Sequence, residues 1–154
     1  MPQSYRRGVG VMLINPERQV WVGRRIDNDT DAWQMPQGGM DKGELPWATA
    51  LRELEEETGI APHLVERIAE APDLLRYDLP EELRGRFWKG KHVGQEQNWF
   101  LCRFLGHTSD VDVATAHPEF SEWKWVGPDE LPGLIVPFKR ELYARLVELF
   151  AAHL

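Results

Sequence analysis

The feature that most constrains this sequence is a helix that must bury one face while acidic side chains crowd another. In the segment Pro46–Thr58, Leu51 and Leu54 recur at helical spacing. Pro46 suits a first helical turn, where its missing N–H is harmless, and Gly59 suits the left-handed position after the last turn. The sequence therefore predicts a helix from about Pro46 to Thr58 that packs one side against a core.

The same helix carries Glu53, Glu56 and Glu57 at spacings of three and four residues, so their carboxylates share one face. Like charges at this spacing repel each other, and the helix macrodipole disfavours anions in the last turns. A hard divalent cation such as Mg²⁺, which prefers oxygen ligands, would neutralise the repulsion. The pattern thus indicates a metal site.

The alternative is an acidic face that is simply solvated. Three features favour the metal site instead. The opposite side of the helix is apolar, a glycine-rich loop with Glu44 precedes the helix, and Arg52 lies beside the acids, where it could orient one of them or hold the loop.

The rest of the chain alternates between strand patterns and turns. Residues 8–14 form an apolar, β-branched run that ends at Asn15-Pro16 and resumes at 20–22, which predicts a hairpin. Residues 27–31 form a polar loop, and 37–43 are rich in turn residues. The remaining predicted elements are strands at Val65–Glu70, 74–79, 99–105 and 121–126, a helical turn at 128–131 and an amphipathic helix from 138 to about 153. This mixture predicts an α/β sandwich.

Length and charge limit the function classes. A chain of 154 residues suits one domain spanning residues 1–154. The net charge of −7 argues against strong non-specific nucleic-acid binding, so we expect no DNA partner. No apolar run approaches the roughly 20 residues of a membrane helix, and no signal peptide is expected. Cys102 is the only cysteine, which suits a buried thiol in a reducing, cytoplasmic setting.

One segment carries a family resemblance. Gly38, five residues, Glu44, seven residues and then Arg-Glu-Leu-Glu-Glu-Glu-Thr-Gly-Ile (52–60) together resemble the Nudix box. The resemblance implies an α/β/α Nudix sandwich with a mixed sheet between helices, Mg²⁺ or Mn²⁺ as cofactor, and hydrolysis of a nucleoside diphosphate linked to another group. It also implies that Gly38, Glu53, Glu56 and Glu57 form the metal site, with one glutamate able to activate water.

The resemblance continues outside the box. Matching segments include Tyr5-Arg6, Gly23-Arg24-Arg25, residues 33–39, 75–80 and 94–100, Pro118-Glu119-Phe120 and Phe138-Lys139-Arg140. Together they are similar to the bacterial dinucleoside polyphosphate hydrolases and RNA pyrophosphohydrolases. This implies a nucleotide polyphosphate substrate, either a diadenosine polyphosphate or a triphosphorylated RNA 5′ end.

The subfamily resemblance also implies roles for individual residues. The expected catalytic residues are Glu53, Glu56, Glu57, Glu119 and Arg52, with Glu119 as a further metal-binding carboxylate. The expected substrate-binding residues are Arg24, Arg25, Gln37, Tyr77, Gln95, Phe138 and Lys139.

Each flanking residue also has an ordinary structural interpretation. Arg24 and Arg25 would serve equally as charges at the end of a strand. Tyr77 and Phe138 would serve as core residues instead of stacking on a base. Glu119 would be a surface acid, and Lys139 a surface charge at a helix N-terminus.

One departure from the subfamily bears on the substrate. Glu96 and Asn98 stand where members often carry lysines, which favours a small dinucleotide over long RNA, although Lys89 and Lys91 in the preceding loop could compensate. Two other functions remain open: a Nudix enzyme for ADP-ribose, a nucleotide sugar or a modified nucleoside triphosphate, and a non-catalytic nucleotide-binding domain. The intact set of box acids argues against the last.

We predict that Glu56→Gln lowers turnover far more than it lowers stability. The change removes a metal ligand, but it also relieves repulsion along the helix. Rates with Mg²⁺ and urea unfolding, measured on the same preparation, provide the test. An unchanged rate would contradict the metal-site assignment.

Overall fold

A computed structural model describes residues 4–26 and 31–154 of the chain. Its strands are β1 (Tyr5–Ile14), β2 (Val20–Arg25), β3 (Trp33–Gln34), β4 (Gln37–Gly39), β5 (Val65–Glu70), β6 (Leu75–Asp78), β7 (Gly94–Phe104) and β8 (Phe120–Val126). Its helices are α1 (Pro46–Thr58), α2 (Leu131–Leu134) and α3 (Arg140–Leu149). Most of the predicted 27–31 loop lies outside the described residues.

The strands form one mixed sheet, in the order β3-β2-β1-β7-β5. Its centre is the parallel pair β1 and β7, in register from Tyr5 opposite Gly94 to Ile14 opposite Arg103. The other strand pairings are antiparallel, with β4 and β2 on β1, β6 on β7 and β8 on β2. The mixed sheet predicted from the sequence is therefore confirmed.

Each face of the sheet packs against helices. On one face, Ala50 and Leu54 of α1 join the apolar cluster that contains Phe100. On the other, Leu142 and Leu146 of α3 join the cluster that contains Trp99. The α/β sandwich is confirmed, and burial on both faces explains why residues 9–14 of β1 and 99–102 of β7 are apolar almost without interruption.

Helix α1 spans the predicted residues, and Gly59 ends it in the left-handed conformation (φ 74°), donating its N–H to the Glu55 carbonyl. The C-terminal helix is shorter than predicted. Only Arg140–Leu149 is α-helical, with 3-10 turns at Pro137–Lys139 and Ala151–His153. Among the described residues, no helix has the length and apolar character needed to span a membrane.

Two strands start several residues earlier than predicted. Strand β1 begins at Tyr5, and β7 begins at Gly94 instead of residue 99. Apolar runs could not predict the extension of β7, because Gln95 and Gln97 are its buried polar residues. Hydrogen bonds compensate for their burial: the Gln97 amide donates to Gln95 Oε1 at 2.6 Å and accepts from the Trp99 indole at 2.8 Å.

Gly10 gives the central pair a test of packing. A Cβ at this position would lie 2.3 Å from the Trp99 ring, which is fully buried. We expect Gly10→Ala to lower the free energy of unfolding by about 1–3 kcal/mol, because a packed core does not absorb the added methyl group. Urea unfolding measures this.

The matched control is Gly133→Ala, where an added Cβ has no neighbour within 4 Å. Its effect should stay within about 1 kcal/mol. Equal unfolding free energies for the two variants would contradict the packing argument.

Candidate active site

The glycine-rich strand β4 lies directly against the acidic face of α1. A Cβ on Gly38 would stand 2.1 Å from the carboxyl carbon of Glu53, and one on Gly39 would stand 2.1 Å from Arg6 Nη2. Only glycine allows so close an approach at these positions. The pair therefore brings a strand backbone to the glutamates predicted as ligands.

Arg52 is the centre of the charge network. It donates from Nε to Glu44 Oε2 at 2.6 Å and from Nη2 to Glu44 Oε1 at 2.8 Å, a bidentate pair. Nη2 also donates to the Gly39 carbonyl at 3.1 Å. Hydrogen bonding by Arg52 is the main reason that the pKa of Glu44 is lowered to about 2. Glu44 and Arg52 thus tie the glycine loop to the helix, as one of the sequence alternatives for Arg52 proposed.

The remaining Arg52 nitrogen links two of the predicted ligands. Nη1 donates to Glu53 Oε1 at 3.0 Å and to Glu56 Oε2 at 3.1 Å. Glu56 lies at the rim, with its side chain 57% exposed, whereas that of Glu53 is only 17% exposed. Burial, opposed mainly by the Arg52 charge, raises the pKa of Glu53 to about 7.

Glu57 is the most deeply placed acid of the helix. Its side chain is buried, and its Oε2 has no hydrogen-bond partner among the described residues. Burial first, and then the charges of Glu53 and Glu119, raise its pKa well above the ordinary value, while a hydrogen bond from the Gln37 backbone opposes the shift. A buried carboxylate oxygen without a partner is unfavourable unless a proton or a cation satisfies it.

Glu119 arrives from a distant part of the sequence. It immediately precedes β8, and its Oε2 lies 3.3 Å from Arg25 Nη2 on β2. Its charge raises the pKa of both Glu53 and Glu57, so it belongs to the same electrostatic cluster. Pairing of β8 with β2 is what joins this acid to the helix acids.

These residues fit a hard divalent cation. The donors are oxygens, one of which is buried without a partner, and Gly38 leaves room beside Glu53. Within residues 4–26 and 31–154, no group of three or more acidic, histidine or cysteine side chains is close enough together to hold a metal ion as positioned. Arg52 holds oxygens of Glu53 and Glu56, so the carboxylates are paired with a cation of the chain itself.

A network of glutamine side chains lies beside β4, whose Gln37 also bonds Glu57 through its backbone. The Gln97 amide bonds Gln37 Oε1 at 3.1 Å and Gln95 Oε1 at 2.6 Å, which joins two residues predicted to bind substrate. The sequence predicted no individual role for Gln97. The alternation of Gln95, Gln97 and Trp99 could have identified it, because residues two apart in a strand lie on the same face.

Lys139 is buried, so the interpretation as a surface charge is wrong. Its Nζ lies 4.7 Å from the centroid of the Tyr77 ring. The centroids of the Tyr77 and Phe138 rings are 6.0 Å apart. Burial, together with the Arg25 charge and against attraction by Glu57, lowers the pKa of Lys139 to about 7. Tyr77 packs in the apolar cluster and is only 7% exposed, as the core interpretation expected.

The two arginines of β2 are placed differently. Arg25 faces Glu119 and acts electrostatically on Glu57 and Lys139. Arg24 pairs instead with Asp31 at 3.2 Å and Glu122 at 3.5 Å. The structure thus joins Arg25 to the acid cluster, and the substrate-binding role of Arg24 stays a prediction.

In the presence of a chelator, we expect Glu53→Gln to gain stability relative to the wild type as pH rises from about 5 to about 8.5. The folded-state pKa of Glu53 is raised to about 7. The folded protein therefore favours the protonated form of Glu53. The contribution of this group to the free energy of unfolding is fully present below its unfolded-state pKa and is lost as pH rises through about 7. A glutamine at this position stays neutral, so the variant does not lose stability in this way. Urea unfolding at both pH values, with exposed Glu55→Gln as control, measures the difference. A difference that does not change with pH would contradict the raised pKa.

Comparison with known proteins agrees with this geometry. A family model described as NUDIX domain matches residues 4–146. An RNA pyrophosphohydrolase of Roseobacter denitrificans is 56% identical over 150 residues, which are 97% of this chain and 94% of that protein. One of Erythrobacter litoralis is 57% identical over 148 residues, 95% of this chain and 90% of that protein.

Solved structures share the fold at low sequence identity. The E. coli dihydroneopterin triphosphate pyrophosphohydrolase matches with a TM-score of 0.73 and 20% identity, covering 94% of this chain and 98% of that one. A C. elegans Ap4A hydrolase binary complex matches with a TM-score of 0.68 and 20% identity, covering 96% and 98%. Nudix hydrolases generally need divalent metal ions. This chain belongs to the Nudix family and is a hydrolase that acts on phosphorus anhydrides.

Proposed function

We propose that this Nudix hydrolase removes pyrophosphate from the triphosphorylated 5′ end of RNA. The observation that carries the proposal is the buried Glu57 carboxylate, which has an oxygen without a partner and interacts electrostatically with the cations Arg25 and Lys139. Acids that attract a metal and cations that attract phosphate thus meet in one place. The similarity to RNA pyrophosphohydrolases over nearly the whole chain supports RNA as the substrate.

The cofactor in this proposal is Mg²⁺, or Mn²⁺ in its place. Glu53, Glu56, Glu57 and Glu119 would hold it, with the backbone of Gly38 beside Glu53. When bound, such an ion neutralises charge on the phosphates and lowers the pKa of water. The compact carboxylate set and its lack of nitrogen or sulfur donors favour these hard cations.

The chain's own residues supply positioning and charge. Arg25 and Lys139 attract phosphate oxygens, and Arg52 holds the glycine loop against α1. Burial raises the pKa of Glu53 to about 7, so this carboxyl would lose its proton when it binds the cation. Phe138, only partly buried beside Tyr77, offers a ring on which the first base would stack. Gln37 and Gln95, fixed by Gln97, would orient the substrate.

A dinucleoside polyphosphate is the second candidate substrate. Its support was the presence of Glu96 and Asn98 at positions where lysines are common. The structure weakens that support at one of the two positions. Arg7 Nη2 donates to Asn98 Oδ1 at 2.8 Å and keeps its positive charge beside the strand. Arg76 Nε donates to Glu96 Oε2 at 2.8 Å, and the two charges of this ion pair neutralise each other.

We place the enzyme in the cytoplasm, where RNA 5′ ends occur. Cys102 is fully buried, and burial raises the pKa of its thiol to about 12. A protonated, inaccessible thiol agrees with the structural role expected in a reducing compartment.

We expect the purified protein with Mg²⁺ to convert 5′-triphosphorylated RNA to the monophosphorylated form with release of pyrophosphate, and Glu57→Gln to be severely impaired. The glutamine keeps the volume of the buried side chain but removes the charge that would hold the metal. Gel and chromatographic analysis of the products, with diadenosine tetraphosphate in parallel, gives the measurement.

Turnover of the dinucleotide alone would replace RNA by the second candidate. No turnover of either substrate with Mg²⁺ or Mn²⁺ would contradict both. A Glu57→Gln enzyme as active as the wild type would contradict the metal site.

A further inference from the structure

A second surface remains outside the machinery described so far. It is the segment 84–92 between β6 and β7, which we call the cationic loop. Its side chains include four cations and two large aromatic rings: Arg84, Arg86, Lys89, Lys91, Phe87 and Trp88. From residue 83 to residue 95 there is no acidic residue, in a chain whose net charge is −7. The loop therefore concentrates positive charge that the rest of the protein does not share.

The charges of the cationic loop are available to a partner. Arg86, Lys89 and Lys91 are exposed, and their side chains form no ion pair with any residue that the structure describes. Arg84 differs, because its Nε donates to the Leu79 carbonyl at 3.0 Å and so anchors the loop. Phe87 is 41% exposed, and its ring lies 5.9 Å from that of Trp88. Exposed cations next to an exposed aromatic ring are the side chains that bind single-stranded nucleic acid without sequence preference.

Arg6 connects the cationic loop to the candidate active site. Its guanidinium carbon lies 5.5 Å from the centroid of the Trp88 ring. The same guanidinium packs against Gly39, and Gly38 next to it packs against Glu53. Arg6 also acts electrostatically on Tyr77. A continuous path of contacts therefore runs from the acid cluster, over Arg6 and the partly buried Trp88, to the exposed Phe87.

The backbone of the cationic loop is strained at two residues. Trp88 and Lys89 have φ values of 51° and 58°, a conformation that bulky side chains rarely adopt. The Ser4 hydroxyl donates to the Lys91 carbonyl at 2.6 Å, and the Val93 N–H donates to the Ser4 carbonyl at 2.9 Å, which fixes the end of the loop to the start of β1. Strained backbone in a fastened loop is typical of binding segments.

We propose that the cationic loop binds the RNA chain that follows the triphosphorylated 5′ end, through its phosphates and through stacking of bases on Phe87. The proposal rests on the proposed function, because the RNA must enter the site by its 5′ end. The free cations match the phosphate backbone in charge, and Arg6 lies between them and the acid cluster. A longer RNA offers this surface more phosphates and bases than a dinucleotide does, so the loop selects for polynucleotides.

The test compares two substrates of different length with two matched variants. The loop variant combines Arg86→Gln, Lys89→Gln and Lys91→Gln. The control variant combines Arg67→Gln, Lys124→Gln and Arg145→Gln, which remove the same charge from exposed positions elsewhere that, like the loop cations, form no ion pair with a described residue. The substrates are a triphosphorylated dinucleotide and a triphosphorylated RNA of about ten nucleotides.

We expect the loop variant to lose about tenfold in kcat/KM on the longer RNA and to keep its rate on the dinucleotide. The dependence of binding on salt should weaken, with the log–log slope falling by about two for three lost cations. Phe87→Ala should weaken binding of the monophosphorylated form of the longer RNA, which the enzyme does not hydrolyse. Fluorescence anisotropy of this labelled RNA measures the affinity. The control variant should resemble the wild type on both substrates.

Equal losses on both substrates, or equal losses in the loop and control variants, would overturn the proposal. Failure of the proposed function looks different, because the wild type would then turn over neither RNA. In that case anisotropy still decides, since a loop variant that binds monophosphorylated RNA as tightly as the wild type also overturns the proposal.

Discussion

The contact between Arg52 and the acids around it governs the rest of the site. One guanidinium joins Glu44 in the loop to Glu53 and Glu56 on the helix, and it also holds the Gly39 carbonyl. Without this cation, the carboxylates of α1 would repel each other next to a strand that only glycines allow to come so near. Arg52 therefore offsets the repulsion within the acid cluster.

Of the three glutamates of α1 predicted as metal ligands, Glu57 is the one that Arg52 does not contact. Arg52 compensates the acids at the surface of the cluster, but the Oε2 atom of Glu57 remains buried without a partner. The sheet then brings further charges to it, because β2 carries Arg25 and β8 places Glu119 beside that arginine. Lys139 arrives from the opposite side of the fold and is itself buried. Buried charged groups such as Glu57 and Lys139 are costly in a folded protein, and groups of this kind are often found at functional sites.

The sequence was sufficient for the parts of the fold that follow periodicity. Helix α1 has the predicted bounds, because Pro46 and Gly59 mark its ends and Leu54 marks its buried face. The start of β7 was not predictable in this way, since Gln97 is buried by hydrogen bonds that only the tertiary structure provides. The burial of Lys139 was likewise missed, because a cation at a helix start is usually exposed. The grouping of Glu53, Glu56 and Glu57 on one face of α1 was predicted from their spacing, whereas the Arg6 contact with Trp88 depends on a loop that carries no periodic signal.

The central claim is that the acid cluster of α1 is a divalent-cation site, and anomalous diffraction from crystals soaked in Mn²⁺ tests it most directly. The account predicts a manganese peak within bonding distance of Glu57, with Glu53 or Glu56 turned from Arg52 toward the ion, and its loss in Glu57→Gln crystals of the same form. A peak elsewhere in the molecule would contradict the account, as would an unchanged peak in the variant.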